Sequence, residues 1–137
     1  MKVSEVMTSD VTCTRPHATL HQAAERIKTL DVGSLPVCQE DQLVGMVTDR
    51  DIVVRSVADG HDPETDRVTD VMTNELIYCF EDEDVERTAF LMKEKQIRRL
   101  PVLNRDKRLV GIISLGDLAV ATYGEQLAEE ALEGISE

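Results

Sequence analysis

The sequence predicts an α/β protein made of two copies of one β-α-β-β-α unit related by a pseudo-two-fold axis. Three observations carry that reading. Val3–Thr8 (V-S-E-V-M-T) returns as Val68–Thr73 (V-T-D-V-M-T), and Leu35-Pro36-Val37 returns at the same spacing as Leu100-Pro101-Val102. Leu43–Thr48 (L-V-G-M-V-T) returns as Leu109–Ser114 (L-V-G-I-I-S), with Asp51 answered by Asp117, now one position further on. A period of this size in a short chain is the mark of a duplicated supersecondary unit.

Within each copy the elements follow one order. A short extended run opens it, Val11–Thr14 and then Leu76–Phe80. A helix comes next, with Leu20, Ala23, Ala24, Ile27 and Leu30 at helical spacing; Val85, Ala89 and Met92 are the counterparts in the second copy. Two brief Val/Leu/Ile-rich strands follow, Leu35–Cys38 with Leu43–Val47 and Leu100–Leu103 with Leu109–Ile113. Polar residues separate the members of each pair, as in a hairpin, and such a turn absorbs the one-residue slip between copies. A second helix begins at Thr48 or Ser114. Asp59-Gly60-His61-Asp62-Pro63 interrupts the pattern and marks the junction. The domains read as 1–61 and 62–126, followed by an amphipathic tail, 127–137, with Leu127, Leu132 and Ile135 at helical spacing. One copy alone is too small to be comfortably stable, so two are expected to bury their sheet faces together and leave a groove with each repeat.

Composition narrows the function. A net charge of −12 opposes phosphate backbones at long range and argues against nucleic acid as a partner. Local arginines still outweigh that field within a Debye length of ~8 Å, so a small anion remains admissible. Aromatics make up 3% of the chain, so a base would meet mostly aliphatic walls. No apolar run nears the ~20 residues of a membrane span, and Met1–Asp10 lacks the features of a secretory signal, so the expected location is cytoplasmic. There is no Gly-rich phosphate loop, H-E-x-x-H or nucleophile motif. Asp49 and Asp51 stand two apart, a poor spacing for an acid–base dyad on a helix. The chain reads as a non-enzyme with no required cofactor and no metal site.

The sharpest signals are Thr48-Asp-Arg-Asp51 and Ser114-Leu-Gly-Asp117, both at a strand-to-helix turn. A hydroxyl at the N-cap accepts a backbone N–H, and the helix start suits an anionic group. A carboxylate three residues on can accept both hydrogens of a ribose diol. The same spacing is close to a capping box, which needs no ligand; a cap would also preorganise the carboxylate. Gly45 and Gly111 fall inside strands, where glycine marks a close approach, either of a ligand or of packed protein.

The ordered unit V-x-x-V-M-T, L-P-V, L-V-G, [ST]-x-x-D, present twice, resembles the CBS domain, and the tandem resembles a Bateman module. The resemblance runs from Val3 to about Tyr123. Thr48–Ile52, Asp59-Gly60 and cysteines at 13 and 38 are similar to hypoxic-response members of that family. It implies binding of AMP, ADP, ATP or S-adenosylmethionine in the clefts, disc-like homodimers, and a regulatory role read out by a separate, unidentified effector protein. It assigns Asp51 and Asp117 to the ribose, with Thr48 and Ser114 near sugar or phosphate. Arg98 and Arg99 precede Leu100-Pro101-Val102, where relatives reach phosphate with a basic residue; a surface salt bridge is the alternative for one of the two. The first copy has Gly33-Ser34 there, so the grooves are not equivalent: one is expected to take a nucleotide while the other is empty or prefers a less charged ligand. Val11, Cys13, Ile77 and Tyr78 stand where an adenine would be enclosed, or are simply core. The family fold makes neighbours of the strands carrying Cys13 and Cys38. That pair is a redox-switchable disulfide, two buried thiols, or a metal site, although His17, His21 and His61 lack ligand spacing to a cysteine. Cys79 aligns with Thr14 and reads as structural. A redox or metal responder and a purely structural dimerisation unit are the competing functions.

Overall fold

Helix formation is local and visible in the caps of the computed structural model, which describes residues 1–136, with side chains to 126. Helix α1 (Leu20–Leu30) starts on a reciprocal box: Gln22 N–H donates to Thr19 Oγ1 and Thr19 N–H to Gln22 Oε1. It stops at Asp31, left-handed at φ 54°. The counterpart helix in the second repeat, Val85–Lys95, has Asp84 at its N-cap and stops at Gln96, φ 55°. The same left-handed stop recurs without a glycine at either site.

In the first repeat, strands β1 (Ser34–Gln39) and β2 (Gln42–Thr48) pair antiparallel. Glu40 and Asp41, both at positive φ, form the two-residue turn. The helix after β2, α2 (Asp49–Ile52), passes into one π-helical turn over Val53–Val57. A short helix, α3 (Val68–Val71), opens the second repeat and is followed by β3 (Cys79–Phe80). Val85–Lys95 is then α4, with β4 (Arg99–Leu103), β5 (Leu109–Ser114) and α5 (Leu115–Ser136) completing the chain. The longer β4–β5 connection takes up the extra residue. The apolar face expected for 127–137 falls on side chains outside the described residues.

Both opening strands fall short of expectation, Leu76–Phe80 narrowing to Cys79–Phe80 and Val11–Thr14 forming no strand. β3 pairs parallel with β4, making a three-stranded sheet, whereas Val11–Thr14 makes a single parallel bridge, Thr14 to Val37. The cause is Pro16. Glu81 N–H donates to Leu103 C=O at 2.9 Å in the second repeat, and Pro16 occupies the equivalent place with no N–H to give.

The chain divides into two compact units that cut across the repeats: residues 1–10, 78–105 and 110–137 form one, and 11–77 with 106–109 the other. In the first unit Val3 N–H donates to Glu83 C=O and Thr8 exchanges both backbone bonds with Ile112. In the second, Val68 N–H donates to Ala18 C=O and Thr73 exchanges both with Met46. The V-x-x-V-M-T segments have changed places, each serving the other repeat. Val68 and Val71 accordingly lie in the core with Leu20, Leu35, Val37 and Val47, while Val3 is fully buried in the other unit.

Candidate functional site

Strand β5 delivers Ser114 to the first turn of α5, and the two ends lock together. Ser114 N–H donates to Asp117 Oδ2 at 2.9 Å and Asp117 N–H to Ser114 Oγ at 3.0 Å. The capping box is therefore formed, and it holds the Asp117 carboxylate half-buried with Oδ1 unused by any described residue. Leu115 N–H donates to Arg98 C=O at 2.8 Å, which ties the residue before β4 to the helix start. The result is an open groove of about 470 Å³ lined by Arg98, Arg99, Ser114, Leu115, Gly116 and Ala119. Neither guanidinium has a partner among the described residues, and Arg99 is half-buried. Two cations without partners among the described residues and a helix start line one space, and the cap on the lining residue Ser114 fixes the Asp117 carboxylate. That combination suits a ligand with a diol at one end and an anion at the other.

The first repeat builds the same frame with different charges. Thr48 and Asp51 exchange the same two bonds, each 3.0 Å. Asp49 N–H donates to Gly33 C=O at 3.0 Å, as Leu115 does to Arg98. Here Asp51 has a neighbour that Asp117 lacks: Arg55, one turn on, places Nε 3.9 Å from Asp51 Oδ1 and donates from Nη1 to Val71 C=O. Asp49, set aside in the sequence as half of a poor dyad, stands where Leu115 lines the other groove. The i to i+4 spacing of Asp51 and Arg55 was the available signal for that contact.

Gly45 and Gly111 are explained by protein packing. A methyl group on Gly45 would stand 2.8 Å from Thr73 C=O and 3.0 Å from Met72 Sδ; on Gly111 it would stand 2.5 Å from Met7 Sδ and 3.0 Å from Thr8 C=O. The exchanged V-M-T segments lie directly over the glycines. Tyr78 is half-buried and packs edge-on against Phe80, with ring centres 5.5 Å apart. Arg105 covers Phe80 at 4.0 Å and forks onto Asp82 through Nε and Nη2 at 2.9 and 2.7 Å. That pairing holds the Asp82 carboxyl below its usual range.

Cys13 and Cys38 do meet. The Thr14 bridge to β1 brings the chain beside Cys38, whose N–H donates to Thr14 C=O at 2.9 Å. Both cysteines are free thiols, Cys13 half-buried and Cys38 buried. Interaction with the Cys38 thiol, with Arg26 nearby, lowers Cys13 to about 6 against the opposing effects of burial and Asp41. The same interaction and burial push Cys38 up. Burial pushes Cys79 up to about 11. Among the described residues no three His, Cys, Asp or Glu side chains gather as metal ligands, and no helix is long and apolar enough to cross a membrane.

Residues 3–57 and 68–124 each match the CBS domain. The CBS domain-containing protein YhcV of Bacillus subtilis is 41% identical over 134 residues, covering 98% of this chain and 94% of that protein. The crystal structure of Hypoxic Response Protein I with two coordinated zinc ions superposes with a TM-score of 0.80 at 37% identity, covering 87% of this chain and 97% of that one. The CBS domain pair of protein MJ0100, in complex with 5′-methylthioadenosine and S-adenosyl-L-methionine, gives 0.76 at 25% identity, covering 91% and 98%.

Proposed function

The chain belongs to the CBS domain family as a tandem pair, and from that premise we propose that it is a cytoplasmic sensor of an adenosyl ligand. The ligand is AMP, ADP, ATP or S-adenosylmethionine, and occupancy is read by a separate effector protein. The observation that carries this reading is the groove beside α5, lined by Ser114 and by Arg98 and Arg99, whose guanidinia are unpaired among the described residues, with Asp117 capped onto Ser114. Asp117 accepts from the ribose hydroxyls, Ser114 and the arginines hold phosphate, and Tyr78 borders the adenine. Thr48 and Asp51 do the corresponding work on the ribose in the first repeat. The MJ0100 pair, with its two adenosyl compounds, supports the ligand class. The protein acts as a homodimer, without catalysis and without nucleic acid. Signalling follows from a difference in ligand affinity between two states of that assembly.

Thermal melting of the reduced protein with each of these compounds tests the reading. A ligand at about 100 times its Kd adds ~2.7 kcal/mol, which is several degrees in a chain of this size. Asp51→Asn with Asp117→Asn should abolish the shift. An asparagine oxygen still accepts the Ser114 or Thr48 N–H, so the cap survives while the acceptor for ribose is lost. A shift that persists in the double variant refutes the site.

The thiol contact supports a second reading, a redox responder. Cys13 as thiolate attacks a small-molecule disulfide and expels one thiol; Cys38, losing its proton, then attacks Cys13 Sγ of the mixed disulfide and expels the second. Two protein thiols are oxidised to one disulfide while the reagent is reduced to two thiols. Failure of glutathione disulfide to convert the pair in the intact protein would exclude it.

A further inference from the structure

We infer that the two grooves sort adenosyl ligands by the charge of the 5′ substituent: the groove beside α5 takes a phosphorylated ligand, and the groove beside α2 takes one whose 5′ group is uncharged or cationic. This rests on the adenosyl reading above. The two frames correspond position by position, so their differences are chemical. Arg98 and Arg99 are replaced by Gly33 and Ser34, and Leu115 by Asp49. The Asp49 carboxylate comes to 3.7 Å from where a Gly33 side chain would begin, so it stands beside the position that Arg98 holds in the other groove. Among the described residues its Oδ1 accepts only from the neighbouring Arg50 N–H, at 2.7 Å.

The remaining charges do not reverse this. Arg55 is committed to Asp51 and to Val71 C=O, so it compensates the carboxylate already there. Arg50 takes the place of Gly116 and is exposed as Arg98 is; with Arg55 it balances the Asp49 and Asp51 carboxylates, whereas Arg98 and Arg99 exceed Asp117 by one charge. A 5′-phosphate in this groove would lose both guanidinia of the other groove and lie near a carboxylate in their stead. A sulfonium or ammonium would gain from that carboxylate, and a thioether would be indifferent to it. Coulomb attraction at contact distance across a partly screened surface is worth about tenfold or more in binding per charge.

Calorimetric titration of the reduced, intact protein with AMP and with 5′-methylthioadenosine tests the assignment. The wild type should bind one of each without competition. Asp117→Asn should weaken AMP at least about tenfold and leave 5′-methylthioadenosine unchanged; Asp51→Asn should do the reverse. Arg98→Ala with Arg99→Ala should reproduce the first result without touching a helix cap. Gly33→Arg with Asp49→Leu should raise the AMP stoichiometry from one to two; the new side chain starts at an ordinary contact distance from its neighbour. AMP binding lost in Asp51→Asn but retained in Asp117→Asn overturns the assignment, as does equal competition of both ligands for both grooves. Absence of binding by either compound overturns the adenosyl reading itself, and this inference with it.

Discussion

Replacing Gly45 with alanine should destabilise the ligand-free protein, and by more than the same change at Gly111. Neither glycine has the positive φ that would strain alanine, and the stiffer unfolded chain contributes about 0.4–1 kcal/mol in favour of the variant. Against that stands the space. At Gly45 the hard obstacle is Thr73 C=O, 2.8 Å from the new carbon, and that oxygen is held by Met46 N–H at 3.1 Å while Thr73 N–H donates back at 2.8 Å. The oxygen moves only if the pair of bonds loosens. Overpacking costs ~1–3 kcal/mol and each weakened bond up to ~1 kcal/mol, so a net loss of about 1.5–3 kcal/mol is expected. At Gly111 the nearest atom is Met7 Sδ, the flexible part of a thioether, with Thr8 C=O further off at 3.0 Å. A rotamer change relieves most of that clash, leaving about 0.5–1.5 kcal/mol. Urea unfolding of the two variants without ligand measures both numbers. Unchanged midpoints, or a greater loss at Gly111, would refute the packing argument. Glycines kept clear for a ligand would show the opposite pattern, with intact apo stability and weakened binding.

Thr48→Ala and Ser114→Ala should each cost about 1 kcal/mol in chemical denaturation, because each removes the acceptor of a helix-start N–H. Cys13 should alkylate ahead of the other cysteines, its rate rising as pH passes about 6 and its thiolate fills. Cys38→Ala should move that rise to higher pH by removing the neighbouring thiol, and an unmoved profile would show that Arg26 alone sets it. Asp82 has its folded pKa depressed by Arg105, so its contribution to stability is present above the unfolded carboxylate pKa and fades as pH falls through the folded one. Arg105→Ala should return the Asp82 titration, followed by NMR, towards the ordinary range.

What the sequence makes legible is the part set within a few residues. The Thr19–Gln22, Thr48–Asp51 and Ser114–Asp117 boxes, the polar hairpins and the helical spacing of Leu20 and Ala23 all follow from local chemistry. Even the missing opening strand has a visible cause, since Pro16 stands where Glu81 donates. The exchange of V-M-T segments is different in kind. Val3–Thr8 and Val68–Thr73 are nearly the same string, so pairing with the home repeat and pairing with the other one present the same pattern to a reader of residues. The glycines carried a trace of it, as positions in need of clearance with two candidate occupants. The duplication hid which charges differ, too: Asp49 gains meaning only beside Leu115, once both frames are superposed by their Gly33 and Arg98 carbonyl bonds.

The exchange also sets an order on synthesis. The unit holding residues 11–77 finds nearly all of its backbone partners in one continuous stretch of chain. Val3 and Thr8 do not: their partners are Glu83 and Ile112, the latter about a hundred residues later in translation. At typical elongation rates, Thr8 waits roughly 5–20 s on the ribosome for its strand. Two of its neighbours, Val3 and Val6, are apolar and would be uncovered meanwhile. Their segment carries Lys2, Ser4, Glu5, Ser9 and Asp10 around them, enough charge and polarity to keep a waiting segment from pairing with the wrong edge. Val3 and Thr8 are thus made well before the residues that place them.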